Sequence, residues 1–185
     1  MSETIVLDPG IGSVIVAGSA LLFVSAAYQK WRRLGEFGIV VANYQLIPAS
    51  LASACALLLP TLEALVAVLL VPAATRTWAA ATGAVLLLTY AGGVAVNLHR
   101  GRRDLDCGCA GPADRRSIAA WMVWRNVALA AVLGIAGVPW AGRSLAWADL
   151  VTIVGGLAVV TLLYTTLDQL LGRVMPRAGA LRGSR

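Results

Sequence analysis

Apolar residues run almost unbroken along this chain. Four stretches, 9–29, 37–62, 77–98 and 150–167, contain no charged side chain. Each is close to the roughly 20 residues a helix needs to cross a bilayer. A fifth, 117–142, carries only Arg125. The pattern predicts five transmembrane helices, near 11–30, 49–72, 77–98, 117–137 and 149–171, and so an all-α, polytopic membrane helix bundle. The first is expected to stay as a span and not to act as a signal peptide. Residues 1–9 hold Glu3 and Asp8 but no Lys or Arg, and no clear cleavage site follows. The segment 34–48 is apolar but holds Asn43, Tyr44 and Gln45 and ends at Pro48, which disfavours helix at Ile47. Phe37, Val40, Val41 and Tyr44 share a helical face there. A short helix on or dipping into the membrane is expected, the alternative being a long second helix kinked at Pro48.

Composition agrees with this reading. The chain is 59% hydrophobic and 13% charged, where a soluble domain carries about a quarter charged residues. Connections are short, so one transmembrane domain over 1–176 is expected, with 177–185 a basic, disordered tail near lipid headgroups. The net charge of +6 does not point to nucleic acid, because the basic residues follow the spans. Lys30, Arg32 and Arg33 lie in the first loop. Arg100, Arg102, Arg103, Arg115 and Arg116 lie in the third. Arg173, Arg177, Arg182 and Arg185 lie in the tail. The opposite side has Arg76 and Arg143, a bias of twelve to two. The positive-inside rule then puts the N-terminus outside and the C-terminus in the cytoplasm, in a cell inner (plasma) membrane. Trp31, Trp78, Trp140 and Trp147 fall at span ends, where an interfacial belt is expected.

The third loop carries the chemistry. Asp106-Cys107-Gly108-Cys109 sits in a charged stretch between apolar spans, cytoplasmic by the charge rule. Gly108 permits the sharp fold that a disulfide between Cys107 and Cys109 needs. The small ring would be strained and easily reduced, which suits thiol–disulfide exchange. Two inert thiols, or soft-metal capture with His99, are the alternatives; only three soft ligands are in sight. Cys55 is a lone, buried cysteine. Polar residues inside the spans are costly and usually face the protein interior. Tyr28, Gln29, Asn97, His99, Arg125 and Asn126 all lie toward the face of the cysteine loop, so a polar pocket beneath it is expected. There Arg125 would favour a thiolate. Alternatively Arg125 snorkels, or pairs with Asp104, Asp106 or a backbone carbonyl to fix the loop. Glu63 reads as a proton carrier or as a buried, hydrogen-bonded neutral acid, with the neutral acid preferred. Trp121 and Trp124 share a face with Arg125; they line a flat-ring pocket such as a quinone site, or simply pack.

Several motifs together resemble the MauE family of methylamine-utilisation membrane proteins, which are related to DoxX-like proteins. They are Tyr28-Gln29-Lys30-Trp31, Tyr44-Gln45-Leu46-Ile47-Pro48 and Leu59-Pro60-Thr61-Leu62-Glu63. Asn97-Leu98-His99-Arg100-Gly101-Arg102, Asp106-Cys107-Gly108-Cys109-Ala110-Gly111 and Arg125-Asn126 complete the set. The resemblance runs over about 11–171 and departs at Ala110, where the family leads one to expect an aromatic. It implies a DoxX-like four-helix core plus one further helix. It also implies a role in maturing an exported client, the disulfide-rich small subunit of methylamine dehydrogenase, which carries a tryptophan-derived quinone. A thioredoxin-like partner on the outer side is implied as well.

The expected function is that of an integral membrane thiol–disulfide redox protein, with Cys107 and Cys109 exchanging and Arg125, Asn126, Asn97, Glu63, Asp106 and Tyr28 in support. A quinone is a candidate electron partner, and no resident metal is expected. A non-enzymatic assembly factor and a soft-metal binding or transport protein remain as alternatives. One tension stands: the charge bias places the cysteines on the cytoplasmic face, whereas the implied client is periplasmic.

Overall fold

The computed structural model describes residues 7–107 and 117–174; Cys109 and the basic tail lie outside them. The described residues form six helices: α1 (Pro9–Trp31), α2 (Leu34–Asn43), α3 (Ala49–Leu69), α4 (Ala73–His99), α5 (Ala120–Ala136) and α6 (Trp147–Val174). Among the described residues extended pairing is confined to two isolated bridges, Leu7 with Trp140 and Asp106 with Ser117. The molecule is a polytopic helical membrane bundle. α1, α3, α4 and α6 are long and apolar enough to span a membrane. α5 has 17 residues, about 25 Å at 1.5 Å per residue, the lower limit for a crossing. It nonetheless follows α4 antiparallel over its whole length. Trp121 and Met122 cluster with Val94 at one end. At the other end the Thr77 hydroxyl donates to the Gly137 carbonyl at 3.3 Å.

α1 and α6 run parallel, with Val14 over Gly156 and Leu157 over Gly18. Both helices therefore start on one face and end on the other, so the start of α1 and the end of α6 lie on opposite faces, as an odd number of crossings requires. The segment 34–48 forms the short helix expected of it. α1 stops at Arg32, Arg33 takes φ −142° and ψ 44°, and α2 starts at once. Lys30 meets Glu63 and Gly38 faces Ala56, so α2 prolongs α1 along α3. Gln45, at φ 50°, breaks α2, and Pro48 opens α3.

Lipid tails are as apolar as leucine, so helix association in a membrane relies on close packing and hydrogen bonds. The core joins α1, α3, α4 and α5 through Phe23, Val66, Leu70, Leu87, Leu133 and Ala136. Gly83 lets α4 close on this core: a Cβ there would sit 3.0 Å from Val66 and 3.1 Å from Phe23.

The end of the bundle away from the cysteine loop is stapled by Arg143. Its guanidinium donates to Asp8 at 2.9 Å and to Asp149 at 2.7 Å, joining the starts of α1 and α6. The hydrogen bond from Arg143 holds the Asp8 carboxyl below its ordinary value. Trp140 is not simply a belt residue. Arg76 stacks on its ring at 3.6 Å, and the ring lies so close over Gly12 that a Cβ would come within 2.6 Å.

Candidate functional site

Two of the sequence motifs bind each other. α4 ends in a Schellman cap. The Arg102 amide donates to the Asn97 carbonyl at 3.0 Å and the Gly101 amide to the Leu98 carbonyl at 3.0 Å. Gly101 supplies the left-handed residue, φ 74°. The Arg102 side chain then returns to Asn97 Oδ1 at 3.1 Å and crosses to the Asn43 carbonyl at 2.9 Å. Asn97 is fully buried and donates to the Tyr44 and Gly93 carbonyls at 3.2 and 3.1 Å. Arg100 reaches the Gln45 carbonyl at 3.3 Å. Asn97, Arg100 and Arg102 thus satisfy carbonyls left open where α2 ends, and the clamp fixes the point at which the cysteine loop leaves α4. Asn97 supports the loop from below, through the Tyr44 and Gly93 carbonyls and the Arg102 side chain.

The loop returns through the Asp106–Ser117 bridge, where the Ile118 amide donates to the Leu105 carbonyl at 3.0 Å. Cys107 follows this bridge, half-buried, against the cluster of Val94, Ile118, Trp121 and Met122. It also lines a cavity of about 870 Å³ that reaches down between α1, α5 and α6. Of the residues expected in a pocket beneath the loop, Gln29, Arg125 and Asn126 line this cavity, and two acid–base pairs join them in its wall.

The first pair is Lys30 with Glu63, 6% and 1% exposed. Tyr90 donates to Glu63 Oε1 at 2.7 Å and Lys30 Nζ reaches Tyr90 Oη at 3.3 Å. Lys30 also lies 4.6 Å over the Tyr90 ring. Glu63 is thus buried and hydrogen-bonded, and its partners are Lys30 and Tyr90. Glu63 Oε2 is buried with no hydrogen-bond partner among the described residues. The second pair is Arg125 with Asp168 of α6, at 2.7 Å. The guanidinium also sits 5.1 Å from the Trp121 ring.

Asn126 is buried in the same wall, beside Arg125. Tyr28 is not in it: it is 57% exposed, with Arg32 over its ring at 5.5 Å. Trp121 and Trp124 part company, since Trp121 is buried in the wall and Trp124 is 73% exposed. His99 is exposed at the end of α4. Cys55 is half-buried in α3 and joins no disulfide among the described residues. No group of three His, Cys, Asp or Glu side chains converges as a metal site among the described residues.

Sequence reasoning missed Lys30, Tyr90 and Asp168. For Lys30 a signal was present. The buried face of α1 runs Val16, Phe23, Ala27, Lys30, a stripe at helical spacing in which the lysine takes a core position.

The comparisons agree with the motifs. The family described as "Methylamine utilisation protein MauE" matches residues 9–141. The MauE protein of Methylophilus methylotrophus is 34% identical, covering 92% of this chain and 90% of its own. That of Paracoccus versutus is 36% identical, covering 92% of each. That of Paracoccus denitrificans is 42% identical over 61% of each. No solved structure matches. On this evidence the chain belongs to the MauE family of membrane proteins involved in methylamine utilisation.

Proposed function

We propose that this protein is a membrane thiol–disulfide redox component that assists maturation of an exported protein, with Cys107 and Cys109 as the exchanging pair. The observation that supports this most is the seat of Cys107. It emerges from a rigidly clamped loop and faces a cavity lined by two acid–base pairs. A structural thiol needs no such wall. In the exchange, a thiolate of the partner attacks the Cys107–Cys109 disulfide, a mixed disulfide forms, and the partner's second thiol displaces it. The partner leaves oxidised and Cys107 and Cys109 are left as a dithiol.

The Asp168 carboxylate changes the role we assign to Arg125. A guanidinium bonded to an acid at 2.7 Å projects little net charge. Arg125 then acts chiefly by tying α6 to the wall beside the loop, and only secondarily by favouring a thiolate. In methylamine-utilising cells the client of this reading is the disulfide-rich small subunit of methylamine dehydrogenase, served through a thioredoxin-like partner. The charge bias supports a cytoplasmic position for the cysteine loop in this reading.

Replacing both Cys107 and Cys109 by Ser should abolish client maturation while leaving membrane insertion intact. Full maturation in that variant would sink the redox reading and leave a non-enzymatic assembly factor. An impermeant maleimide should label the loop only after it enters the cytoplasm; labelling in intact cells would reverse the orientation.

A further inference from the structure

The cavity beneath Cys107 is also a lateral cleft. α5 and α6 each lie against α1 but scarcely touch one another. The gap between them is walled by Ile15 and Leu22 of α1, Leu129 and Leu133 of α5 and Val160 of α6. Arg125 and Asp168 bridge it near the cysteine loop. Its volume, about 870 Å³, is within the range of small-molecule sites, and like them it is apolar with a few placed polar groups.

The polar end specifies what kind of head group fits. Lys30 is matched by Glu63 and Arg125 by Asp168, so the charges cancel and an ionic head gains nothing there. A phospholipid phosphate would need free cations, and these two are committed to carboxylates. Two hydrogen-bonding positions remain on the first pair. The Lys30 ammonium has three donors and spends two, on Glu63 and Tyr90. Glu63 Oε2, nine-tenths buried and more, accepts none among the described residues. Lys30 and Glu63 both line the cavity, which places this donor and this acceptor in its wall. Trp121 contributes a flat ring to the wall, suited to offset stacking.

We propose that the cleft binds a membrane-soluble quinone, with its ring at Lys30 and Glu63 and its hydrocarbon tail between α5 and α6. A quinone carbonyl accepts from Lys30, and the hydroquinone hydroxyl donates to Glu63 Oε2, so one site serves both redox forms. The inference rests on the redox reading for its purpose. Oxidation of the Cys107–Cys109 dithiol releases two electrons and two protons, and a quinone takes up both pairs on becoming the hydroquinone. The binding itself does not depend on the thiols.

The test uses the full chain in nanodiscs of quinone-free phospholipid, with decylubiquinone as the probe and native mass spectrometry as the readout. One saturable quinone per protein is expected in the wild type. Thr161→Trp, which fills the cleft from α6, should weaken binding at least tenfold, and Leu129→Trp does the same from α5 if the first variant does not fold. Val159→Trp, on the exposed surface of α6, should leave binding unchanged. Absence of saturable binding, capture of phospholipid only, or equal binding by the cleft-filling variants would overturn the proposal. Quinone binding with full client maturation in the double-serine variant would overturn the redox reading and leave this site standing.

Discussion

Removing Lys30 alone should be far more damaging than removing it together with Glu63. Both side chains are almost wholly enclosed, at 6% and 1% exposure, and Glu63 Oε1 accepts from Lys30 and Tyr90 together. Deleting one member of a buried ion pair strands the other and costs about 3–5 kcal/mol, whereas exchanging the whole pair for apolar residues of similar volume is often neutral. Lys30→Met should therefore lower the unfolding free energy by about 3–5 kcal/mol. Glu63→Leu should do similar harm. The double variant should recover most of the loss, so the coupling exceeds either single loss, at about 3 kcal/mol or more. Equilibrium unfolding in mixed detergent micelles, followed by tryptophan fluorescence, measures all four corners of the cycle. Strictly additive losses, or single variants within about 0.5 kcal/mol of wild type, would refute the argument that the pair is buried and mutually dependent.

Three further outcomes follow from the geometry. Asp168→Asn removes the acid that offsets Arg125 at 2.7 Å; iodoacetamide should then alkylate Cys107 faster at fixed pH, by roughly threefold or more, and Arg125→Leu should not accelerate it. Gly101→Ala forces a side chain into the left-handed position at φ 74° and should cost roughly 1–2 kcal/mol, readable in the same unfolding assay, while Gly35→Ala, where a Cβ meets nothing within 4 Å, should not. The Arg143 hydrogen bond keeps Asp8 below its ordinary value of 3.8, so its contribution is fully present above that pH and is lost only as pH falls through the lower folded value; Asp8→Asn should blunt the loss of stability below about pH 4 and leave the stability profile near neutrality flat.

Much of the bundle was legible in the pattern of apolar runs, because a span must be long and almost free of charge. The breaks on either side of α2 were legible for the same reason: Arg32 and Arg33 precede it and Pro48 follows it. The length of α5 was not. Its expected start near 117 is taken by the strand-like return at Ser117 and Ile118, whose backbone pairs with Leu105 and Asp106. At the site, the polar residues were visible but their partners were not. Lys30 sits at the end of a span and was counted with the loop charges, although its helical spacing from Phe23 and Ala27 places it on the core face. Asp168 lies 43 residues from Arg125, and only the parallel docking of α6 on α1 brings it there. Tyr28 and Trp124 show the converse. A helix turns by about 100° per residue, so a side chain one position from a buried residue can point outward, as Tyr28 does next to Ala27.

The most direct measurement of the central claim is the redox state of the cysteine pair in cells that are maturing the client. Rapid acid quenching, alkylation with isotopically distinct reagents before and after reduction, and mass spectrometry of the peptide containing Cys107 and Cys109 give the fraction present as disulfide. Cys55, alone in α3, serves as the internal control. A population of Cys107–Cys109 disulfide that changes when client synthesis is switched on, with Cys55 reduced throughout, is the predicted result. Both loop thiols fully reduced in every condition, alongside normal maturation, would contradict it.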